Sequence, residues 1–182
     1  RGDHLAAMRT RGLRLVEPGG ERTIIVAATD DPARLGPQDC VILTMKAHSV
    51  AAALPAIAPL LGPETAVVTM QNGIPWWYFH RTGGPHAGKG VAAVDPGGVI
   101  TRTLGPERAI GAVVYVAAEV TAPGVIDHPF GDRLILGEPS GAATPRLAAL
   151  AAALAGAGID APVEPDIRTA IWVKLWGNLA FN

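Results

Sequence analysis

The chain has 182 residues, of which 49% are hydrophobic and 17% charged, and its formal net charge is −1 at pH 7. This composition supplies enough apolar material for one packed domain, or for one domain and part of a second. The near-zero charge offers no basic surface to nucleic acid or to a membrane, and without a long apolar run or a signal-like start the expected location is cytoplasmic.

The first 70 residues alternate between helical and strand-like patterns. A short helix is predicted over 4–12, with Leu5 and Met8 turned inward. The elements predicted after it are strands at 23–29, 40–44 and 66–70, and a helix over 48–61 that its prolines kink or divide. The second of these strands is a continuous apolar run of the kind buried on both faces of a parallel sheet, so its cysteine, Cys40, is expected to be a core residue.

This order of elements predicts a parallel sheet. A strand, a helix and a strand at such spacing form a βαβ unit, whose crossover is right-handed in nearly all proteins. Two such units in succession indicate a doubly wound parallel sheet, with helices on both of its faces.

The second half of the chain has closely spaced strand-like runs between Gly and Pro turns, which predict antiparallel hairpins added to the parallel sheet. These runs lie at 90–94, 109–120, 124–128 and 133–136. Thr144 and Pro145 then begin a predicted helix over 144–156, and a last helix is predicted from Asp166 to the end of the chain.

Three polar side chains follow predicted strands directly. Lys46 follows the 40–44 strand, Asn72 follows the 66–70 strand, and Asp95 follows the 90–94 strand. Ligands of open α/β sheets bind outside the carboxyl ends of the strands, so these side chains are candidates for ligand contact. The alternative is that Lys46 is simply solvated and that Asn72 only forms a turn with the glycine after it.

The last helix carries a row of polar residues. Lys174, Asn178 and Asn182 recur every four residues, and each step of four turns an α-helix by about 400°, which leaves them on one face. The opposite side is apolar and is predicted to bury the helix; its residues are Ile171, Trp172, Leu175, Trp176 and Leu179. If these polar side chains face a cleft, a bound ligand can form hydrogen bonds with them. The same spacing also fits a helical face that is exposed to water.

The residue types of this row suit the reduction of a ketone. A carbonyl oxygen that receives a hydride on its carbon develops negative charge, which a nearby ammonium group can stabilise and protonate. Asparagine amides can orient a hydroxyl or a carboxylate without adding charge.

Seven segments of the chain resemble the ketopantoate reductase family and occur in the family's order. They are RGDHLAAMRTRGLRL, VILTMKAHS, TMQNGIPWWYF, VDPGG, AEVTAPGVIDH, LGEPSG and DIRTAIWVKLWGNLAFN. The resemblance implies an α/β fold: a Rossmann-like, doubly wound, mostly parallel sheet with antiparallel additions, followed by the start of an all-α domain. It implies an NADP-binding domain over 1–163 and the first helix of a helical substrate domain over 164–182.

The resemblance also implies an activity, the NADPH-dependent reduction of 2-dehydropantoate (ketopantoate) to pantoate in pantothenate and coenzyme A biosynthesis. Lys174 is similar to the family's catalytic lysine, the general acid for the carbonyl oxygen. The implied substrate-binding residues are Asn178, Asn182 and Asn72. The implied cofactor-binding residues are Arg1, Lys46 and Asn72, of which Arg1 would contact the 2′-phosphate that distinguishes NADPH from NADH. No metal is expected, since His48, His80, His86 and His128 lack metal-ligand spacing.

In the family a glycine-rich turn is expected before Arg1, and further helices are expected after Asn182. The pyrophosphate of a dinucleotide binds at that turn, so the 182 residues alone are expected to bind cofactor weakly and to be inactive.

Two alternatives stay open. A related NAD(P)-dependent dehydrogenase for another 2-oxo acid, a 3-hydroxy acid or an opine would share the fold and the lysine helix. A non-catalytic nucleotide-binding protein would keep the scaffold but would not need a proton donor such as Lys174. The expected partner is a small-molecule 2-oxo acid, with no nucleic acid and no membrane, and a homodimer is compatible with the sequence.

Overall fold

The computed structural model describes residues 2–181, so Arg1 and Asn182 lie outside the described residues. Its helices and strands, in chain order, are α1 Gly2–Arg11, β1 Leu13–Glu17, β2 Gly20–Ile24, β3 Gln38–Leu43, α2 Val50–Ile57, β4 Leu61–Thr69, α3 Val99–Leu104, β5 Ala109–Ala122, β6 Val125–Gly137, α4 Pro145–Gly156 and α5 Ile167–Phe181. No helix in this part of the chain is long and apolar enough to cross a membrane.

The strands form one six-stranded mixed sheet in the order β2-β1-β6-β5-β4-β3. Strand β4 runs parallel to both β3 and β5, and β1 runs parallel to β6, whereas the β1–β2 and β5–β6 pairs are antiparallel. The prediction of a mostly parallel sheet with antiparallel additions is therefore confirmed.

Helices cover both faces of the sheet, as a doubly wound fold requires. Alternate residues of β4 point to opposite faces: Val67 packs in a core with α2, α3 and α5, while Val68 packs in a second core with α4. Both valines are almost fully buried. The β3–α2–β4 segment is the predicted βαβ unit. Its helical part is divided after Ile57 by a 3₁₀ turn over Ala58–Leu60, whereas Pro55 lies inside α2 and does not interrupt it.

Two helix boundaries follow the local rules used to predict them. Helix α1 buries Leu5 and ends at Gly12, whose φ of +81° and close approach to the Ile24 carbonyl oxygen leave no room for a side chain. Helix α4 begins after Thr144, whose hydroxyl oxygen accepts a hydrogen bond from the Leu147 N–H.

The predicted strand at 23–29 is wrong. Residues 13–17 and 20–24 form a hairpin instead, in which Glu17 pairs with Gly20 and Leu13 pairs with Ile24. Because β1 begins at Leu13, it has no residue left to pair with Ile25, which is 84% exposed. The second βαβ unit is therefore not upstream of β3; it is β4–α3–β5.

Four other predicted strands also differ from the structure. Residues 91–94 form a turn that leads to α3, a helix that was not predicted. The runs at 124–128 and 133–136 are one strand, β6, whose register against β5 shifts beyond Tyr115, near Gly131 with its φ of +88°. Strand β3 lies at the edge of the sheet, so Ile42 is exposed and only one face of the strand is well buried. Cys40 is half-buried, and burial raises the pKa of its thiol.

His128 on β6 lies between a carboxylate and a carbonyl group. Its Nδ1 is 3.2 Å from Glu17 Oε1 on β1, and its Nε2 is 2.6 Å from the Gly131 carbonyl oxygen. Only the protonated imidazole can donate from both nitrogens. The hydrogen bond to Gly131, followed by that to Glu17, therefore raises the pKa of His128.

We expect these His128 interactions to stabilise the fold at acidic pH. Because the pKa is raised in the folded chain, their contribution is fully present below the ordinary imidazole value of about 6.5 and is lost as pH rises through the raised value. Urea unfolding at several pH values should show that wild type and His128→Gln differ in free energy of unfolding, and that the difference shrinks toward high pH. His48→Gln, at an exposed position, is the control; a His128 effect that does not depend on pH would contradict the prediction.

Candidate active site

A narrow cleft lies where the loop after β4 meets β5 and the middle of α5. It encloses about 260 Å³, including space open to solvent. Its lining residues are Gln71, Asn72, Gly73, Ala112, Val113, Val114, Ile171, Lys174, Leu175 and Asn178. Three residues predicted from the sequence to contact ligands, Asn72, Lys174 and Asn178, thus come together in one place.

Gln71 fixes the loop that carries Asn72. Its side-chain amide donates hydrogen bonds to the carbonyl oxygens of Leu43, at 2.8 Å, and of Met45, at 3.1 Å. These contacts bind the end of β4 to the end of the neighbouring strand β3. Gly73 follows with a φ of +90°, and the turn leaves the Asn72 side chain exposed at the cleft. No role for Gln71 was predicted from the sequence.

Lys174 enters the cleft from α5 and is half-buried. Its ammonium group donates a hydrogen bond to the Val114 carbonyl oxygen and lies 4.8 Å from the centroid of the Tyr115 ring. Burial lowers the pKa of Lys174. No acidic residue belongs to the described lining, so the ammonium group has no carboxylate to hold its proton there. Such an ammonium group can serve as a general acid.

Asn178 lies one helical turn beyond Lys174 and is half-buried at the same cleft. Lys46 is exposed after the carboxyl end of β3 and is not part of the cleft lining. Lys46 lies at the same end of the sheet as Asn72, because Leu43 and Thr69 are paired where β3 and β4 end. Two further predicted residues, Arg1 and Asn182, lie outside the described residues.

The apolar side of α5 is not buried as predicted. Helix α5 meets the sheet through the side that carries Ile167 and Ile171, the same side as Lys174. Trp172, Trp176 and Leu179 of the predicted apolar side are exposed; Trp176 is 77% exposed and Leu179 is 75% exposed. The predicted grouping is wrong for Ile171 and Leu175, which line the cleft together with Lys174. Helical spacing also does not tell which side of a helix meets the sheet.

Asp95 does not belong to this cleft. Its buried carboxylate accepts hydrogen bonds from the backbone N–H groups of Ile100 and Thr101 and from the Thr101 hydroxyl. Burial by itself raises the pKa of Asp95, but the hydrogen bonds from Thr101 and Ile100 outweigh it and the net shift is downward. Asp95 thus holds the start of α3, which corrects its interpretation as a candidate ligand contact.

Arg168 was missed by the sequence analysis. Near the start of α5, its guanidinium donates to the carbonyl oxygens of Tyr78 at 2.8 Å, His80 at 2.6 Å and Pro139 at 2.7 Å. It also lies 5.9 Å from the Trp77 ring centroid. One side chain therefore connects the helix of Lys174 with the loops that follow β4 and β6.

The described residues contain no cluster of three or more His, Cys, Asp or Glu side chains that could hold a metal ion. The groups that the cleft does offer are one ammonium, two amides from Asn72 and Asn178, and the amide of Gln71, which is engaged with the backbone. Such a set suits an anionic organic ligand with a carbonyl or hydroxyl group.

The two-sided helical cover of the sheet and the cleft at its strand ends define a Rossmann-like α/β domain. The family model described as "Ketopantoate reductase PanE/ApbA" matches residues 1–76. A 2-dehydropantoate 2-reductase of Mesorhizobium japonicum is 57% identical over 182 residues, which are 100% of this chain and 56% of that protein. The chain is therefore similar over its whole length to proteins of the ketopantoate reductase PanE/ApbA family, as its motifs had indicated.

Solved structures agree with this fold. A crystal structure from Ralstonia solanacearum, of a candidate ketopantoate reductase, is 47% identical with a TM-score of 0.94; the match covers 100% of this chain and 56% of that one. D-mandelate dehydrogenase in a ternary structure with NADH and anilino(oxo)acetate shares only the fold, at 20% identity and a TM-score of 0.71, over 96% of this chain and 50% of its own. The chain thus spans about half the length of the relatives it matches.

Proposed function

We propose that this chain supplies the cofactor-binding domain and the proton donor of an NADPH-dependent 2-dehydropantoate 2-reductase. The observation that carries the proposal is the position of Lys174, half-buried in a cleft with Asn72 and Asn178 and without an acidic neighbour in the described lining. The 57% identity to a relative of that name over the whole chain supports the same activity.

The cleft residues fit the reduction of a 2-oxo acid. NADPH, when bound, would supply the hydride that the carbonyl carbon of the substrate accepts, and the carbonyl oxygen would need one proton to become a hydroxyl. Lys174 donates that proton from its ammonium group, becomes a neutral amine, and is protonated again from solvent after the product leaves. The lowered pKa of Lys174 favours this transfer, because a weaker hold on the proton makes the ammonium a stronger acid.

The other predicted residues bind and orient. Asn178 would hold the substrate's hydroxyl and carboxylate groups from the same helical face as Lys174, and Asn72 would contact both substrate and nicotinamide. The same substrate-binding role for Asn182 rests on the family resemblance. Lys46 is exposed at the same sheet edge, where a cation fits the phosphates of a dinucleotide. Arg1 would contact the 2′-phosphate of NADPH; that role rests on the family resemblance.

The domain boundary proposed at residues 163 and 164 has support from two contacts. Strand β6 forms isolated parallel bridges from Arg133 to Asp160 and from Leu136 to Val163, so the chain up to 163 still belongs to the sheet. Helix α5 then turns an apolar side outward, at Trp176 and Leu179. Such a side suits packing against further helices in proteins of the relatives' length.

An alternative is a related dehydrogenase for another 2-oxo acid, because the fold is also that of D-mandelate dehydrogenase. The described cleft offers amides and an ammonium group but no feature that selects ketopantoate over other small 2-oxo acids. Substrate assays separate the two functions.

The test uses an extended protein, defined as this chain completed to the relatives' length with the segments of the Mesorhizobium japonicum protein. We expect ketopantoate to be reduced with NADPH in preference to NADH, and 2-oxo acids such as phenylglyoxylate and pyruvate to react at least ten times more slowly in kcat/KM, as about 1.4 kcal/mol of discrimination gives. The Mesorhizobium japonicum protein is the positive control, and the 182-residue chain alone is expected to be inactive. A cooperatively folded extended protein that prefers another substrate would establish the alternative.

A further inference from the structure

Two consecutive residues of β5 contact the same ammonium group. The Val114 carbonyl oxygen accepts a hydrogen bond from Lys174 Nζ, and the Tyr115 ring centroid lies 4.8 Å from that nitrogen. A cation within about 6 Å of an aromatic ring centroid is attracted by the negative face of the ring. Lys174 is therefore held by one polar and one aromatic group of the strand.

The sheet topology makes these groups accessible to α5. Strand β4 ends at Thr69 and pairs with β5 only as far as Gly111, whereas β5 continues to Ala122. The edge of β5 beyond Gly111 is thus not covered by β4. Helix α5 crosses this region, and Lys174 reaches the strand at Val114 and Tyr115.

The charge around Lys174 comes from few groups. Among the described residues, the loop after β4 contributes Gln71, Asn72 and Gly73, none of which titrates. From β5 the only titratable group in contact is Tyr115, and α5 adds no other charged side chain to the cleft lining. Burial disfavours the ammonium form of Lys174, and no carboxylate of the lining opposes that effect. The ring and the carbonyl oxygen are the groups that favour the charged form.

We propose that Tyr115 is a positioning residue whose ring, together with the Val114 carbonyl group, holds the Lys174 ammonium in the cleft and keeps it protonated. The inference rests on the proposed function of Lys174 as proton donor. A general acid has to be charged when the substrate arrives, and a half-buried lysine without an acidic partner keeps its proton less firmly. The Tyr115 ring offsets that loss without forming an ion pair that would restrain the proton.

The test measures the pKa of Lys174 directly by NMR. The chain has only three lysines, Lys46, Lys89 and Lys174, so lysine side-chain signals in a ¹³C-labelled sample can be assigned by single substitutions. We expect Tyr115→Leu to lower the pKa of Lys174 by about half to one and a half pH units, the range that a cation–π contact supports. Tyr115→Phe keeps the ring and should leave the pKa of Lys174 as in the wild type.

Phe130→Leu is the matched control, because Phe130 is an exposed aromatic residue on the paired strand β6 and is 71% exposed. It should change the titration of none of the three lysines. A circular dichroism spectrum and a tryptophan fluorescence spectrum equal to those of the wild type show that each variant keeps the fold. The proposal is overturned if Tyr115→Leu leaves the pKa of Lys174 unchanged, or if Tyr115→Phe lowers that pKa as much as Tyr115→Leu does.

A second measurement separates this inference from the proposed function. In the extended protein, the alkaline limb of the pH profile of kcat should move to lower pH in Tyr115→Leu by the shift seen in NMR, and Tyr115→Phe should restore it. If the NMR shift occurs but the protein reduces no 2-oxo acid, the proposed function fails and the positioning of Lys174 stands. If the extended protein reduces ketopantoate normally and Tyr115→Leu leaves the pKa of Lys174 unchanged, the positioning role of Tyr115 is disproved and the proposed function stands.

Discussion

Replacement of Lys174 by alanine in the extended protein is expected to lower kcat for ketopantoate by about 100- to 10,000-fold, the usual contribution of a general acid. The reason is geometric as well as chemical. Lys174 is the only ammonium group in the described cleft lining, and it enters between Asn72 and Asn178. Without it, the oxygen that gains negative charge during hydride transfer has no cationic proton donor among the described cleft residues.

Steady-state kinetics of Lys174→Ala and of Lys89→Ala test this expectation. Lys89 lies on an exposed loop outside the cleft, so its loss removes the same charge without touching the reaction. Small primary amines added to Lys174→Ala should restore part of the turnover, and the restored rate should follow the amine's pKa. Wild-type turnover in Lys174→Ala would remove this lysine from the mechanism.

The pH dependence of the wild type follows from the same group. A general acid works only while it is protonated, so kcat should fall as pH rises through the pKa of Lys174 in the bound enzyme. Because burial lowers that pKa, the fall should be centred below the ordinary lysine value of about 10.4. An alkaline limb that persists unchanged in Lys174→Ala would assign it to a different group.

The parts of the site that depend on local pattern could be predicted from the sequence. Asn72 follows a buried strand, and the rule for strand ends then places it at the ligand-binding edge of the sheet. Lys174 and Asn178 share a face because they are four residues apart on a helix. Each of these predictions needs only the residues near it in the chain.

Other features depend on distant residues and could not be derived from local pattern. The sequence does not show that α5 meets the sheet through Ile167 and Ile171 rather than through its tryptophans. Tyr115 is 59 positions from Lys174 in the chain, and only the different lengths of β4 and β5 bring them together. The hairpin of β1 and β2 is different, because the turn signal of Pro18 and Gly19 was present in the sequence and could have been used.

Arg168 is the clearest case of a long-range role, and its replacement is expected to have the largest effect on stability. Its three backbone acceptors, at Tyr78, His80 and Pro139, are 29 to 90 positions away in the chain. A hydrogen bond to a charged donor contributes about 1.5–3 kcal/mol, and burial of the guanidinium, which lowers the pKa of Arg168, offsets part of the sum. We expect Arg168→Met to reduce the free energy of unfolding by about 2–4 kcal/mol.

Urea unfolding followed by tryptophan fluorescence and circular dichroism measures that loss. Arg133→Met is the matched control: Arg133 is half-exposed and pairs with Asp160 at 3.4 Å on the surface, so its replacement should cost less than about 1 kcal/mol. Arg168→Lys should recover little stability, since one ammonium group cannot reach the three carbonyl oxygens that the planar guanidinium reaches. Equal effects of Arg168→Met and Arg133→Met would show that the three hydrogen bonds contribute nothing beyond a surface pair.

Replacement of Arg168 should also disturb the cleft. Arg168 lies six positions before Lys174 on α5, and its partners Tyr78 and His80 belong to the segment that begins at Asn72. The side chain thus sets the distance between the helix that supplies the proton and the loop that supplies an amide. In the extended protein we expect Arg168→Lys to raise KM and lower kcat together even at temperatures where it stays folded, because a displacement of about 1 Å at a reacting group can cost 100-fold in rate. Kinetic constants equal to those of the wild type in the folded variant would limit Arg168 to a role in stability.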